Sequence, residues 1–534
     1  MLLLCVGLAV PVLAEPDPGG SKTGTAADVV DASGSAFVVA EPAKDDKDFA
    51  AKKKSFDEYK AAADKEPLAV KLADSVGSNR IGINLVWMMV AGFLVMFMQA
   101  GFALVETGFC RAKNATHTMM MNFMVYALGM TGYWICGFAL QMGSAGAIAN
   151  LGGTSPLTVS APLAIGGWNI AGTSGFFLSG HYDVAVLGLF LFQMVFMDTA
   201  VTIPTGAMAE RWKFSAFCVY AFFMACVLYP LFGNWAWGGG WLSQLGGKMN
   251  LGHGYVDFAG SGVVHAVGGL CGLAGAMVLG PRLGKYGKDG SINAIPGHHI
   301  PMAFLGCFIL AFGWFGFNPG STLGAAGAGN MRFAIVATVT MLASAGGAIT
   351  AVGYTWIKNG KPDPSMAING MLAGLVAITA PSGFVNPRDG FIIGAIAGVL
   401  VVIAVYFIDQ KLKVDDPVGA VAVHGVNGLF GVLCVGLFAD GTYGDGLNGV
   451  SGCVKGLFYG DASQLVAQLI GCITLVVWAF GASYIFFKLQ DKIMGIRVTA
   501  EQELEGLDIH EVGMVAYNDL SLTGPRDQIG RASC

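Results

Sequence analysis

Apolar stretches long enough to cross about 30 Å of hydrocarbon recur along most of this chain, at 81–109, 117–141, 183–206, 214–234, 256–280, 300–320, 331–356, 366–382, 390–410, 420–438 and 463–487. That pattern predicts an all-α integral membrane protein with eleven transmembrane helices, because a helix satisfies its own backbone hydrogen bonds inside lipid and an open sheet does not. The eighth stretch is short enough to require tilt or local thinning of the bilayer. Charged residues make up only 12% of the chain, against about 25% in a soluble domain. The 79 glycines follow no triplet period, so they suit close helix packing and not a collagen. A net charge of -5 gives no basic footprint for nucleic acid. The cysteines fall mostly within apolar runs with no C-x-x-C pair, and read as small buried hydrophobes.

Short cytoplasmic loops carry the excess of Lys and Arg in membrane proteins. Here alternate loops carry Arg111 and Lys113, Arg211 and Lys213, Arg282, Lys285 and Lys288, Lys358 and Lys361, and Lys411 and Lys413. The loop 143–182 has none. This predicts an outside N-terminus, a cytoplasmic C-terminus and a place in the cell membrane. Residues 1–14 resemble a signal peptide ending in Val12-Leu13-Ala14. Residues 15–78 read as a polar, partly disordered extracytoplasmic extension, residues 79–488 as the transmembrane domain, and residues 489–534 as a cytoplasmic tail.

Two segments repeat one pattern. Asp257 precedes His265 by the same spacing as Asp416 precedes His424, and each His is followed at one offset by Gly-Leu, at Gly269-Leu270 and Gly428-Leu429. The expected topology runs the fifth helix inward and the tenth outward, so the pair form an inverted repeat of five helices each, with a peripheral eleventh helix. Eight residues of helix cover about 12 Å, which places both imidazoles near the bilayer centre. Ionisable groups there are costly and mark a pathway or relay. One such histidine would be read as a core residue; the mirrored pair favours a site at the repeat interface.

Five motifs in order carry a family resemblance: Phe192-Gln193-Met194-Val195-Phe196 followed by Gly206-Ala207-Met208-Ala209-Glu210-Arg211; Trp237-Gly238-Gly239-Gly240; Asp257-Phe258-Ala259-Gly260 with His265; Gly313-Trp314-Phe315-Gly316-Phe317-Asn318-Pro319-Gly320-Ser321; and Asp415-Asp416-Pro417 with His424. Across residues 80–517 the chain resembles the ammonium transporter (Amt/Mep/Rh) family, in its bacterial Amt form. The resemblance implies ammonium or ammonia as cargo. It implies recruitment of the ion by Trp237, Phe196 and Ser321, a gate of Phe196 and Phe317, and a pore lined by His265 and His424. It also implies a homotrimer and a tail, Gly506 to Tyr517, that couples subunits and meets PII-type signal proteins. Asp257, Asp416 and Gln193 are expected in supporting roles, the two aspartates capping backbone N–H groups at helix starts.

The residue types suit a small cation without that resemblance. Aromatic faces attract cations, and the Ser321 hydroxyl can accept an N–H bond. No cofactor, metal or catalytic residue is expected, since a metal enzyme built on the two histidines would want a third ligand and the motifs offer none; His298-His299 in a basic loop reads the same way. The rival reading is an ammonium sensor on the same fold, although no output domain follows. Asp198, inside the third apolar run, departs from the family pattern and is read either as an aid to ion entry or as a partner of Thr199 or Thr202. The loop from Trp237 to Asp257, with Lys248, His253 and Tyr255, is long. Asp415 reads as a solvated loop charge, and Thr499-Ala-Glu-Gln502 as a capping box opening a short helix that Gly506 ends.

Overall fold

The computed structural model describes residues 41–44, 49–145, 148–151, 162–179, 184–327, 332–442 and 452–517. The signal-peptide segment 1–14 and residues 518–534 lie outside them. Among the described residues ten helices are long and apolar enough to span a membrane. In chain order the helices are α1 (Phe49–Lys65), α2 (Pro67–Phe109), α3 (Ala112–Met142), α4 (Val184–Ala207), α5 (Phe214–Trp237), α6 (Ser261–Leu279), α7 (Ile300–Phe317), α8 (Phe333–Asn359), α9 (Pro364–Thr379), α10 (Pro387–Lys411), α11 (Val421–Phe438), α12 (Ala462–Met494) and the short α13 (Ala500–Glu505). The eighth apolar stretch is α9, whose 16 residues reach about 24 Å, less than a full span. The chain is thus a multi-pass, all-α membrane protein with one small hairpin among the described residues, β1 (Leu163–Ile165) against β2 (Trp168–Ala171).

From Phe49 onward the polar extension is helical, with a break at Glu66. α1 is rich in Ala and Lys, with pairs Lys53–Asp57 and Lys54–Glu58 one turn apart, a spacing that supports helix. Pro67 then opens α2 at the first helical position, where a missing N–H costs nothing. α2 explains how lipid and core divide a helix. Val86, Val90, Phe93 and Phe97 are exposed along one stripe, while Met88, Ala91, Val95 and Met98 are buried. In water such a stripe would be an aggregation hazard; in acyl chains it is the solvent-facing surface. The buried side meets α7 closely, because a Cβ on Gly101 would lie 2.8 Å from Leu310 and one on Gly306 2.6 Å from the Gly101 carbonyl. Small residues at such crossings are what hold membrane helices together when water supplies no driving force between them.

All the basic loops but one meet at one end of the bundle around buried charges. Arg282 donates from Nε and Nη2 to Asp415 at 2.8 and 2.9 Å, and Glu210 pairs with Arg111 at 2.5 Å and with Arg282 at 3.4 Å. Asp415 is therefore not a solvated loop charge: it is 1% exposed. Burial alone would raise its pKa, but the Arg282 hydrogen bonds and the Arg211 charge more than offset that and hold the carboxyl well below the usual range. Burial works against Glu210 in the same way, and the charges of Arg282 and Arg111 again leave it lowered.

The tail locks onto this end. Thr499 and Gln502 form the reciprocal capping box, with Gly506 at the helix end. Glu503 accepts from Leu283 N at 2.7 Å, Asp508 from His117 N at 2.9 Å and Glu511 from Phe214 N at 2.7 Å. The last two carboxylates thus cap the first turns of α3 and α5 from a distant part of the chain, the favourable end of each helix dipole. Tyr517 joins His298 Nε2 at 2.7 Å.

Candidate functional site

The matched segments place their histidines through the same local device. α6 and α11 each begin as a π-helical turn, Ser261–Ala266 and Val421–Val426, and His265 and His424 sit in those turns. Single π turns widen a helix at functional sites. Before each turn an aspartate gathers free N–H groups. Asp257 accepts from Gly260, Gly262 and Val263 at 2.8 to 2.9 Å, and Asp416 accepts from Gly419 at 3.1 Å and Val421 at 2.7 Å. α6 starts at the end opposite the basic loops and α11 starts beside Asp415, so the two are antiparallel. They touch where Gly269 meets Gly425: a Cβ on Gly269 would lie 2.1 Å from Gly425 N. Gly269→Ala is therefore expected to destabilise the protein by about 1–3 kcal/mol through overpacking, seen as a lower melting temperature in detergent, and to reduce uptake by separating the helices.

At that crossing His265 Nδ1 and His424 Nδ1 are 3.2 Å apart. One ring donates and the other accepts, so the pair shares one proton along this line and the remaining proton of the neutral pair sits on a distal nitrogen. His265 is fully buried and His424 5% exposed, and His265 Nε2 has no protein partner. The His265 ring stacks on both Trp314, at 5.2 Å, and Phe317, at 5.3 Å, which touch each other at 5.7 Å, while Phe102 flanks His424 at 5.9 Å. Trp314 is fixed by its own bond from Nε1 to Thr379 Oγ1.

Above the histidines, toward the end opposite the basic loops, Phe317 stacks on Phe196 with centroids 4.1 Å apart and planes 24° apart. Phe192 backs Phe196 at 4.6 Å. Trp237 stands edge-on to Phe196 at 6.2 Å, its indole N–H donating to the Asp257 carbonyl at 2.7 Å. Gly260, with φ of +107°, lets the backbone pass under the indole, since a Cβ there would lie 3.2 Å from it. The Ser321 hydroxyl donates to Phe317 O at 2.8 Å, which leaves its lone pairs free to accept. Gln193 accepts from Gln141 Nε2 at 3.0 Å, and Gln141 in turn accepts from Tyr133 at 2.8 Å, so Gln193 braces α4 against α3 behind the aromatic stack.

Of the nine residues singled out from the sequence, Trp237, Phe196, Phe317, His265 and His424 make one run of ring contacts, Ser321 is bonded to Phe317 O, Asp257 and Asp416 hold the turns that carry the histidines, and Gln193 braces α4 from behind. Sequence reasoning missed Trp314 as the ring under His265, although it lies inside a quoted motif. It also missed Glu106, a lone carboxylate in the first apolar run that was itself a signal; Glu106 is 3% exposed and bonded to Asn122 and Thr205. Asp198 bonds neither Thr199 nor Thr202, whose hydroxyls go to Val195 O and Asn122 Oδ1. Glutamines of α12 hold the long loop after Trp237, Gln464 accepting from His253 N and Gln468 from Val256 N. His298 Nδ1 bonds Cys110 O and its Nε2 bonds Tyr517.

Residues 86–517 match the model of the Ammonium Transporter Family. The chain is 47% identical over 456 residues to ammonium transporter Amt2 of Archaeoglobus fulgidus, covering 84% of this chain and 92% of that protein. It is 38% identical to ammonium transporter Amt1 of Haloferax mediterranei, over 84% and 82% of the two chains. Among solved structures it is similar to a sensor Amt protein, with a TM-score of 0.70, 36% identity and coverage of 81% and 99%, and to Candida albicans Mep2, with a TM-score of 0.68, 28% identity and coverage of 83% and 92%.

Proposed function

This chain belongs to the ammonium transporter family, and from that premise we propose that it recruits the ammonium ion at Trp237, Phe196 and Ser321 and conducts it onward as ammonia past His265 and His424. The observation that carries this reading is the buried pair of imidazoles in hydrogen-bond contact directly beneath two stacked phenylalanines. At the mouth the indole and phenyl faces attract a cation through their quadrupoles, and Ser321 offers an oxygen to one N–H. Below Phe317 the walls are aromatic, so a bare ion would lose its hydration without replacement while neutral ammonia loses far less. The proton therefore leaves at the gate. Ammonia then trades hydrogen bonds with the imidazole pair, for which His265 Nε2 is available.

The basic end is cytoplasmic in this reading, by the excess of Lys and Arg there, and the aromatic mouth faces outside. The working assembly is a homotrimer in the cell membrane, with the docked tail as the surface a PII-type protein would meet. Trp237→Leu tests the recruitment site. Removing a cation–π contact of about 0.5–2 kcal/mol is expected to raise the KM for labelled methylammonium by about 2- to 30-fold with little change in the maximal rate. An unchanged KM would remove Trp237 from the site. The similarity to a sensor Amt protein supports a second reading, in which the same site binds ammonium and signals it without flux.

A further inference from the structure

One histidine at the basic end takes no part in the column and makes no bond through its ring. His117 is 0% exposed, and neither its Nδ1 nor its Nε2 has a hydrogen-bond partner in the protein. Buried polar groups are generally satisfied, so an imidazole left without a partner has to be accounted for. His117 lies in the first turn of the α-helical part of α3, which opens at Ala115. Its ring meets Phe214, the first residue of α5, edge-on at 6.2 Å.

The docked tail closes over this spot. Leu507 N donates to Asn114 Oδ1 and His117 N to Asp508 Oδ1, both at 2.9 Å. Glu511, in the same turn Asp508–Val512, accepts from Phe214 N. Leu507 and Asp508 are themselves buried. The tail thus bonds the backbone at both residues of the His117–Phe214 ring contact and offers the imidazole nothing. Asp508 Oδ2 is left without a partner as well.

Charged groups stand on every element packed around His117. α2 brings Glu106, tied to Asn122 and Thr205. α4 brings Asp198 beside Gly129, and the turn after it brings Glu210, paired with Arg111 and Arg282. Lys213 precedes α5, and the tail turn carries Asp508, Glu511 and His510, the last of them on Glu505. On the segment of His117 itself, Lys113 donates to the carbonyls of Glu503 and Leu504. None of these groups bonds the imidazole. A second proton on that ring would therefore be a cation without water or acceptor, at the positive end of a helix dipole. Lifting the tail admits water and removes the first of those costs.

We propose that His117 is a proton-operated release for the tail: neutral, it lets Leu507, Asp508 and Glu511 dock, and protonated, it drives them off. One N–H bond forms on the imidazole, with a proton from solvent, as the turn opens. Proton binding that favours the open form weakens docking as pH falls through the ordinary histidine value of about 6.5, by up to about tenfold for each pH unit. The tail carboxylates do not enter, because they titrate about two units lower. The docked tail belongs to the fold, so this inference does not depend on the transport reading.

Hydrogen exchange of the amides from Leu507 to Val512, in the full chain purified in detergent and corrected for intrinsic exchange rates, tests this. Between about pH 7.5 and about pH 5.5, values that bracket the histidine range, protection is expected to fall at least about tenfold. In His117→Gln, which cannot take up a proton, it should stay within about twofold over the same range. His298→Gln and His510→Gln, which remove the other histidines at the tail, should respond like the wild type. A wild-type tail equally protected at both values, or better protected in acid, would overturn the proposal without recourse to any variant. So would an undiminished acid response in His117→Gln, or one abolished in His298→Gln or His510→Gln.

Discussion

Methylammonium uptake by His265→Leu in proteoliposomes is expected to fall about 10- to 100-fold, with the melting temperature lowered modestly. Leucine fills much of the imidazole's space against Trp314 and Phe317, so packing is largely kept. What disappears is chemistry: the Nδ1 partner of His424 at 3.2 Å and the available Nε2. Losing one hydrogen bond to the cargo costs about 0.5–1.5 kcal/mol and leaving His424 Nδ1 unsatisfied costs about 1–3 kcal/mol. At about 1.36 kcal/mol per tenfold in rate, only part of that sum is needed for the expected loss. Uptake retained within a factor of about two would mean that the cargo passes without touching the pair, because the same arithmetic leaves no room for a lost contact.

The second large effect concerns stability at the basic end. Asp415→Ala is expected to destabilise the protein by about 3–5 kcal/mol, since removing one partner leaves the Arg282 guanidinium buried and short of its main counter-charge. Arg282 would keep only the 3.4 Å contact to Glu210. Thermal melting with parallel proteolysis of the tail would read this, because the same region holds Arg497 and Glu503. The pH dependence has a definite sign. Asp415 and Glu210 have folded pKa values below their unfolded ones, so their stabilisation is complete above the unfolded carboxylate values, about 3.9 and 4.3. It is lost as pH falls below them toward the folded values. Wild-type melting temperature should therefore drop on acidification below about pH 4, and Asp415→Ala should show a shallower drop.

The spanning helices were legible because length and apolarity alone decide what lipid accepts, and α6 and α11 could be matched because two histidines recur at one spacing from two aspartates. The π turns that carry those histidines were not legible, since a one-residue bulge leaves no mark on spacing that a single sequence can show. α1 was underread: its Ala and Lys content looked like disorder, yet the i, i+4 pairs at Lys53–Asp57 and Lys54–Glu58 were visible helix signals. Asp415 was misplaced for a different reason. Its partner Arg282 lies 133 residues away, and nothing local distinguishes a loop aspartate in solvent from one sealed under an arginine. The aromatic column followed from motifs, whereas the bonding of Glu106 to Asn122 and Thr205 needed coordinates, because its members come from three helices and no motif joins them.

The most direct test of conduction through the aromatic column is the initial rate of labelled methylammonium entry into liposomes holding the purified wild-type protein, compared with protein-free liposomes. The expected result is a saturable rate at least about tenfold above the lipid background, competed away by ammonium. Binding of ammonium to the same preparation with no entry above background would contradict it, and would make the histidine pair part of a receptor.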